Sequence, residues 1–168
     1  SENEFLWLSP RDGYKHLYKY SLDGALIGQL TTGEWEVRDL LGIDAKKKFC
    51  YYTAAKDNAI DVHCYRLDLD TNETIQLTKG PGNHSVDFSD DFSMFLSHLS
   101  TVDQPATTSL YRNDGTFVRR LNVSSDDRID YLELSEPEFM EIPASDGQMM
   151  DAMLIRPIDF DPSKKYPV

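Results

Sequence analysis

Positive charge is scarce in this sequence. Seventeen lysines and arginines face twenty-nine aspartates and glutamates in 168 residues, giving a formal net charge of −12 and an isoelectric point near 4.6. A nucleic-acid binder must supply clustered cations to displace counterions from phosphates, so that class of partner is excluded. The one basic run, Lys46-Lys47-Lys48, sits beside Asp44 and reads as a solvated hairpin turn. Long apolar runs are missing too: none approaches the eighteen or more residues that span a bilayer, and no signal-type stretch follows Ser1-Glu2-Asn3-Glu4. Any export signal or anchor is expected outside this chain, with Ser1 an excised or processed boundary. Cysteine is limited to Cys50 and Cys64, too few for a disulfide framework and without the C-x-x-C spacing of zinc ligands.

What is present favours strands. Hydrophobic residues make up 40% of the chain, enough for a sizeable core, and nine Tyr, eight Phe and two Trp pack well on pleated surfaces. A shift of 47 residues aligns His16-Leu17-Tyr18-Lys19-Tyr20 with His63-Cys64-Tyr65-Arg66-Leu67, and Gln29-Leu30-Thr31-Thr32-Gly33 with Gln76-Leu77-Thr78-Lys79-Gly80. A shift of 46 carries Asp44, Phe49 and Cys50 onto Asp90, Phe95 and Leu96, and Tyr65-Arg66 onto Tyr111-Arg112. A period in the mid-forties with alternating hydrophobicity is that of a four-stranded propeller blade. Asp-Gly pairs at Asp12-Gly13, Asp23-Gly24, Asp114-Gly115 and Asp146-Gly147 supply the tight turns.

The fold class is therefore all-β, with about three antiparallel blades over 1–122 (approximately 1–33, 35–79 and 84–122). The first contributes strands Phe5 to Ser9, Leu17 to Leu22 and Leu26 to Thr31, its opening strand lying upstream. The second uses Val37 to Ile43, Phe49 to Ala54, Val62 to Leu69 and Thr74 to Thr78. The third uses Ser85 to Ser89, Met94 to Ser100, Ser109 to Arg112 and Phe117 to Leu121. Propellers close with four to eight blades, so further blades are expected in a longer parent. In the repeat, Cys64 stands with Leu17 and Leu110, and Cys50 with Leu6 and Leu96, as core hydrophobes. A disulfide between them is the alternative in an oxidising compartment.

Beyond Leu121 the pattern stops. Residues 123–137 read as an acidic, Ser-rich connection closed by Pro137. Residues 138–168 hold a hairpin, Phe139 to Ala144 and Met149 to Arg156 around Ser145-Asp146-Gly147, and a lead-in that ends at Tyr166-Pro167-Val168.

Three blocks resemble the dipeptidyl peptidase IV branch of the prolyl oligopeptidase family of serine peptidases. They are Ser9-Pro10-Arg11-Asp12-Gly13-Tyr14-Lys15-His16-Leu17-Tyr18, then Gly33-Glu34-Trp35-Glu36-Val37, then Asp146-Gly147 with Pro157 and Phe160-Asp161-Pro162-Ser163-Lys164-Lys165-Tyr166-Pro167. The resemblance implies the late part of an eight-bladed ring and the start of an α/β-hydrolase domain missing from this chain. It implies a parent enzyme, secreted, periplasmic or extracellular, that releases N-terminal X-Pro or X-Ala dipeptides from peptide substrates with a Ser-Asp-His triad. No glycine here brackets a serine as G-x-S-x-G, the nucleophile elbow. The family's oxyanion tyrosine falls after Val168, so Tyr166 is not that residue, and no Glu-Glu pair matches its amine-binding glutamates. No catalytic, substrate-binding, cofactor or metal residue is assigned, and no cofactor is implied. Expected partners are peptide substrates, the missing blades and hydrolase domain, and a second copy of the chain. A non-catalytic propeller that binds protein or peptide is the alternative.

Other groupings receive structural readings. His16 and His63 share a repeat position, and His84 and His98 lack any sequence evidence of convergence with Ser and Asp. Asp68-Leu69-Asp70-Thr71-Asn72-Glu73 opens like a calcium loop, but Glu73 replaces its turn glycine and Lys79 its closing glutamate. Glu34, Glu36 and Asp39 around Trp35 have no fixed separation for acid/base work. Asn72, Asn83 and Asn122 begin glycosylation sequons.

Overall fold

The computed structural model describes residues 3–102, 104–123, 131 and 134–167. Among them there is no α-helix, and thirteen strands run in order: β1 (Glu4–Ser9), β2 (His16–Ser21), β3 (Leu26–Gln29), β4 (Val37–Asp44), β5 (Phe49–Ala54), β6 (His63–Asp68), β7 (Thr74–Gln76), β8 (Asn83–Phe88), β9 (Met94–Ser100), β10 (Thr107–Arg112), β11 (Phe117–Val123), β12 (Glu138–Pro143) and β13 (Met149–Leu154). They form antiparallel meanders β1-β2-β3, β4-β5-β6-β7 and β8-β9-β10-β11, and a separate β12-β13 hairpin. The chain divides into two compact units, residues 1–101 with 106–123 and residues 102–105 with 124–168. The expected connection, 123–137, lies mostly outside the described residues.

The Asp-Gly turns work as their chemistry dictates. At Ser21–Ala25, Arg112–Thr116 and Ala144–Gln148 the glycine sits at φ +89°, +86° and +87°, a region that costs other residues a Cβ clash. In each turn the preceding aspartate accepts the amide two residues on, at 3.4 Å for Asp23, 2.8 Å for Asp114 and 3.0 Å for Asp146. β8 starts two residues before the expected Ser85, since Asn83 and His84 pair with Ser100 and Leu99 of β9, and the His84 amide also donates to the Val62 carbonyl at 2.9 Å.

The three meanders of the first unit stack face to face as blades. Leu6, Leu8, Leu17 and Leu30 of the first sheet meet Val37, Cys50, Tyr52, Ala54, Tyr65 and Leu67 of the second. On the other face of that second sheet Tyr51, Cys64 and Leu77 meet Val86, Phe88, Phe92 and Phe95 of the third. The middle sheet is thus covered on both sides, which is why β5 reads Phe-Cys-Tyr-Tyr-Thr-Ala with five of its six residues buried instead of alternating. Each large side chain so buried contributes roughly 1.5–3 kcal/mol. The third sheet keys into the second through Phe92, held at φ +52°, whose ring stacks on Tyr51 at 5.3 Å. A Cβ on Gly42, at a register shift in β4, would lie 2.7 Å from the tip of that ring.

Both cysteines are free and fully buried, and they face opposite sides of the middle sheet. Burial pushes the Cys50 thiol up to about 12 and moves Cys64 in the same direction. The expected equivalence of Cys50 with Leu6 and Leu96 is wrong, by one residue for Leu6 and by three for Leu96. Tyr65 pairs with Tyr52 and its counterpart Tyr18 pairs with Trp7, which aligns Cys50 with Phe5. Leu96 pairs with Leu110, the counterpart of Cys64, so it points to the other face. A single-residue slip inverts every side chain of a strand. The placement of Cys64 with Leu17 holds: the Leu17 and Cys64 amides donate to Thr31 and Thr78 Oγ1 at 2.9 and 3.0 Å.

The second unit is built on β12 and β13, paired from Glu138↔Leu154 to Pro143↔Met149. Arg156 bridges to Glu138 at 3.0 Å and lies over Phe160, which packs against Tyr166 at 5.3 Å. The Asp161 amide donates to the Tyr166 hydroxyl at 3.0 Å, giving that tyrosine a local structural role.

Candidate functional site

Between β3 and β4 the chain must pass from one blade to the next, and it does so through Gly33-Glu34-Trp35-Glu36. Gly33 lies at φ +133°, and a Cβ there would fall on the Trp35 indole, 2.7 Å from Cδ1. The missing side chain is the seat of the ring. His16 meets the indole edge-on at 4.9 Å, and Tyr52 lies parallel to it at 6.4 Å. Tyr52 stacks in turn on Tyr65, its cross-strand partner, at 5.5 Å.

Lys56, in the β5–β6 loop, extends its ammonium into this cluster. Nζ lies 3.9 Å from the Tyr65 ring centre, 4.2 Å from Trp35 and 5.3 Å from Tyr52, and donates to the Tyr52 hydroxyl at 2.9 Å. Burial pushes the amine down to about 8, against the pull of neighbouring Asp57. The same burial raises Tyr65 to about 12 and Tyr52 further. Ring faces attract a cation and so oppose the lysine shift. Trp35 and Lys56 of this cluster line an open groove of about 380 Å³, with Glu34, Glu36, Arg38 and Asp57 also in its wall.

The histidines occupy blade latches. His16 Nε2 faces the Gly33 carbonyl at 3.0 Å, which can only accept, so Nε2 carries hydrogen in the neutral ring. Its Nδ1 then accepts from Thr31 Oγ1 at 3.0 Å, the oxygen that also takes the Leu17 amide. His63 repeats the arrangement with Thr78 at 3.2 Å and the Cys64 amide. His84 Nδ1 meets Ser97 Oγ at 2.9 Å, and its ring lies 5.1 Å from that of His63 across the joint between second and third blades. Burial lowers the His84 pKa.

One histidine does converge with a hydroxyl and a carboxylate. His98 Nδ1 is 3.0 Å from Thr108 Oγ1, and Nε2 is 3.1 Å from Asp87 Oδ2. The row crosses three adjacent strands on open sheet surface, with the His98 and Asp87 side chains 43% and 75% exposed. Water competes for every bond there, unlike the buried carboxylate that orients a nucleophilic triad.

The carboxylate groupings are likewise absorbed by turns. Asp68 Oδ1 accepts the Asp70 and Thr71 amides at 2.8 and 3.0 Å, and Asp70 pairs with Lys48 at 2.8 Å. Asp39 accepts the Thr53 hydroxyl at 3.2 Å, while Glu34 and Glu36 stay exposed on the groove rim. Among the described residues no three His, Cys, Asp or Glu side chains stand together as metal ligands. Lys56 is the residue that sequence reasoning missed. The one signal for it was the Gly-Glu-Trp-Glu-Val turn that supplies the indole.

Residues 1–106 match the family described as dipeptidyl peptidase IV (DPP IV) N-terminal region. Dipeptidyl peptidase 4 of Trichophyton equinum is 30% identical over 166 residues, covering 96% of this chain and 21% of the relative. That of Trichophyton rubrum is 29% identical, with the same 96% and 21% coverage. The crystal structure of Porphyromonas gingivalis dipeptidyl peptidase 4 superposes with a TM-score of 0.89 at 27% identity, covering 98% of this chain and 24% of that one. A solved Bacteroides ovatus protein at 24% identity and TM-score 0.87 shares the fold. The chain thus spans about a fifth of the length of the curated relatives it matches, 21% of the Trichophyton equinum protein.

Proposed function

The chain belongs to the dipeptidyl peptidase IV N-terminal region family, and from that membership we propose that it is the late propeller segment of a serine exopeptidase. Residues 1–122 are the partial propeller, 123–137 the connection, and 138–168 the hairpin and lead-in of an α/β-hydrolase domain that carries the Ser-Asp-His triad. The parent releases X-Pro or X-Ala dipeptides from peptide N-termini, in the periplasm or outside the cell. Here the blades wall the cavity and restrict entry, and no residue of this segment takes part in bond cleavage.

The observation that supports this reading best is the joint one: blades 46 to 47 residues apart run into a hairpin unit, and 98% of the chain follows one solved dipeptidyl peptidase 4. Ligand sites form preferentially between domains, which fits a wall of blades facing a hydrolase. Propeller edges and faces left open here are covered by further blades of the parent, and in the isolated segment by a second copy.

The full-length parent is expected to hydrolyse a chromogenic Gly-Pro amide and to lose that activity with its G-x-S-x-G serine. The isolated 168-residue chain is expected to be inactive. A full-length protein that retains a peptide or protein partner in pull-down but turns over no Gly-Pro or Gly-Ala amide would replace this reading by a binding propeller.

A further inference from the structure

Lys19, Lys47, Lys48 and Lys164 each lie against a carboxylate, at 3.1, 3.6, 2.8 and 3.6 Å. Lys56 is built differently: among the described ion pairs none includes it, and its hydrogen bond goes to a neutral phenol. Three ring faces within 3.9–5.3 Å take the place of water around Nζ. Its side chain nevertheless remains part of the wall of an open groove of about 380 Å³. Solvent is excluded on one side, and a small reagent has access on the other.

We propose that Lys56 is a modification site, the lysine of this chain most reactive towards small acyl donors of the phenyl-ester or acyl-phosphate class. The neutral Nζ attacks the acyl carbon. A C–N bond forms, the C–O bond to phenolate or phosphate breaks, and the Nζ proton passes to solvent. The products are an amide and the free leaving group, with no change of oxidation state. Desolvation in an apolar pocket is a recognised way to activate a lysine nucleophile. Lys48, hydrogen-bonded and paired with Asp70, has its amine held above the usual range and is the unreactive reference.

The shift of the Lys56 amine from 10.5 to about 8 raises the neutral fraction near pH 7 by two to three orders of magnitude. Intrinsic nucleophilicity falls with basicity, so only part of that gain survives as a net rate advantage at pH 7. Acylation removes the charge, so the cation–π contacts to Trp35, Tyr52 and Tyr65 are lost and the blade-to-blade turn is released from the β5–β6 loop.

The test is competitive labelling of the intact chain with trace p-nitrophenyl acetate, read by peptide mass spectrometry across its nine lysines. At pH 7 Lys56 is expected to acquire label several-fold faster than Lys46, Lys47 or Lys48, and more slowly than they do at pH 11, where all are largely neutral and its lower basicity makes it the weaker nucleophile. A Trp35→Leu variant, which keeps the site apolar but removes one ring, should hold or increase the ratio. Equal labelling of Lys56 and Lys46 at pH 7 would overturn the proposal, because the rings would then be holding the ammonium charged. So would a ratio unchanged between pH 7 and pH 11. The assay is independent of peptidase activity, so its outcome stands apart from that of the parent's function.

Discussion

Gly33 and Gly80 end equivalent repeat segments, Gln29-Leu30-Thr31-Thr32-Gly33 and Gln76-Leu77-Thr78-Lys79-Gly80, and both hold positive φ, at +133° and +90°. Their surroundings differ in one respect. Nothing lies within 4 Å of a Cβ built on Gly80, whereas one on Gly33 strikes the Trp35 indole. Gly80→Ala therefore measures the backbone term alone, about 1–2 kcal/mol for a side chain in left-handed space. Gly33→Ala adds the eviction of the ring from its place between His16 and Tyr52 and over the Lys56 ammonium. A cation–π contact and an aromatic pair are each worth about 0.5–1.5 kcal/mol, so the total comes to about 2–5 kcal/mol. The assay is urea unfolding followed by tryptophan fluorescence and far-ultraviolet circular dichroism, with the same pair repeated in a Trp35→Ala background. There the Gly33→Ala cost should fall by about 1 kcal/mol or more while that of Gly80→Ala stays the same. Equal costs for the two glycines in the wild-type background would refute the claim that the glycine serves the indole.

Two further outcomes follow from burial. The His84 pKa is lowered, chiefly by desolvation and further by His63, with the Gly80 carbonyl and Asp61 acting in opposition. Between the folded value and the unfolded value near 6.5 the unfolded chain binds more protons, so this contribution is fully present above about pH 6.5 and is lost as pH falls towards the folded pKa. The urea midpoint should drop between pH 7.5 and pH 5.5, and by less in His84→Gln; an equal drop in both would show that other groups carry it. Cys50 and Cys64 should react with a thiol-specific disulfide reagent only as fast as the chain opens, two equivalents appearing together in urea. A fast phase in native buffer would place one of them at the surface.

The blades were legible because their signals are local. Three of the four Asp-Gly pairs close the expected tight turns, Asp12-Gly13 lying instead in the six-residue 10–15 loop, and strands such as Phe49–Ala54 and Met94–Ser100 match the sequence reading residue for residue. The face assignment of Cys50 was not legible, because β5 is apolar on both faces and alternation carries no information there. The register shifts between Val37, Leu40 and Gly42 add to this by breaking a constant repeat length on the neighbouring strand. The Lys56 site was hidden for a different reason. Its four members, at 35, 52, 56 and 65, come from a turn, two strands and a loop, and only blade stacking brings Trp35 over Tyr52. Nothing in Ala55-Lys56-Asp57-Asn58 sets that lysine apart from a solvated loop residue. The Thr–His–Asp row at Thr108, His98 and Asp87 was equally unreadable, since its spacing of ten and eleven residues follows from β9 register alone.

Burial of the middle sheet on both flanks bears on how the chain behaves as a material. A sheet packed through both faces cannot be peeled from either neighbour without opening an apolar interface, so the two joints are expected to melt together instead of independently. Any change that loosens one joint is therefore felt at the other.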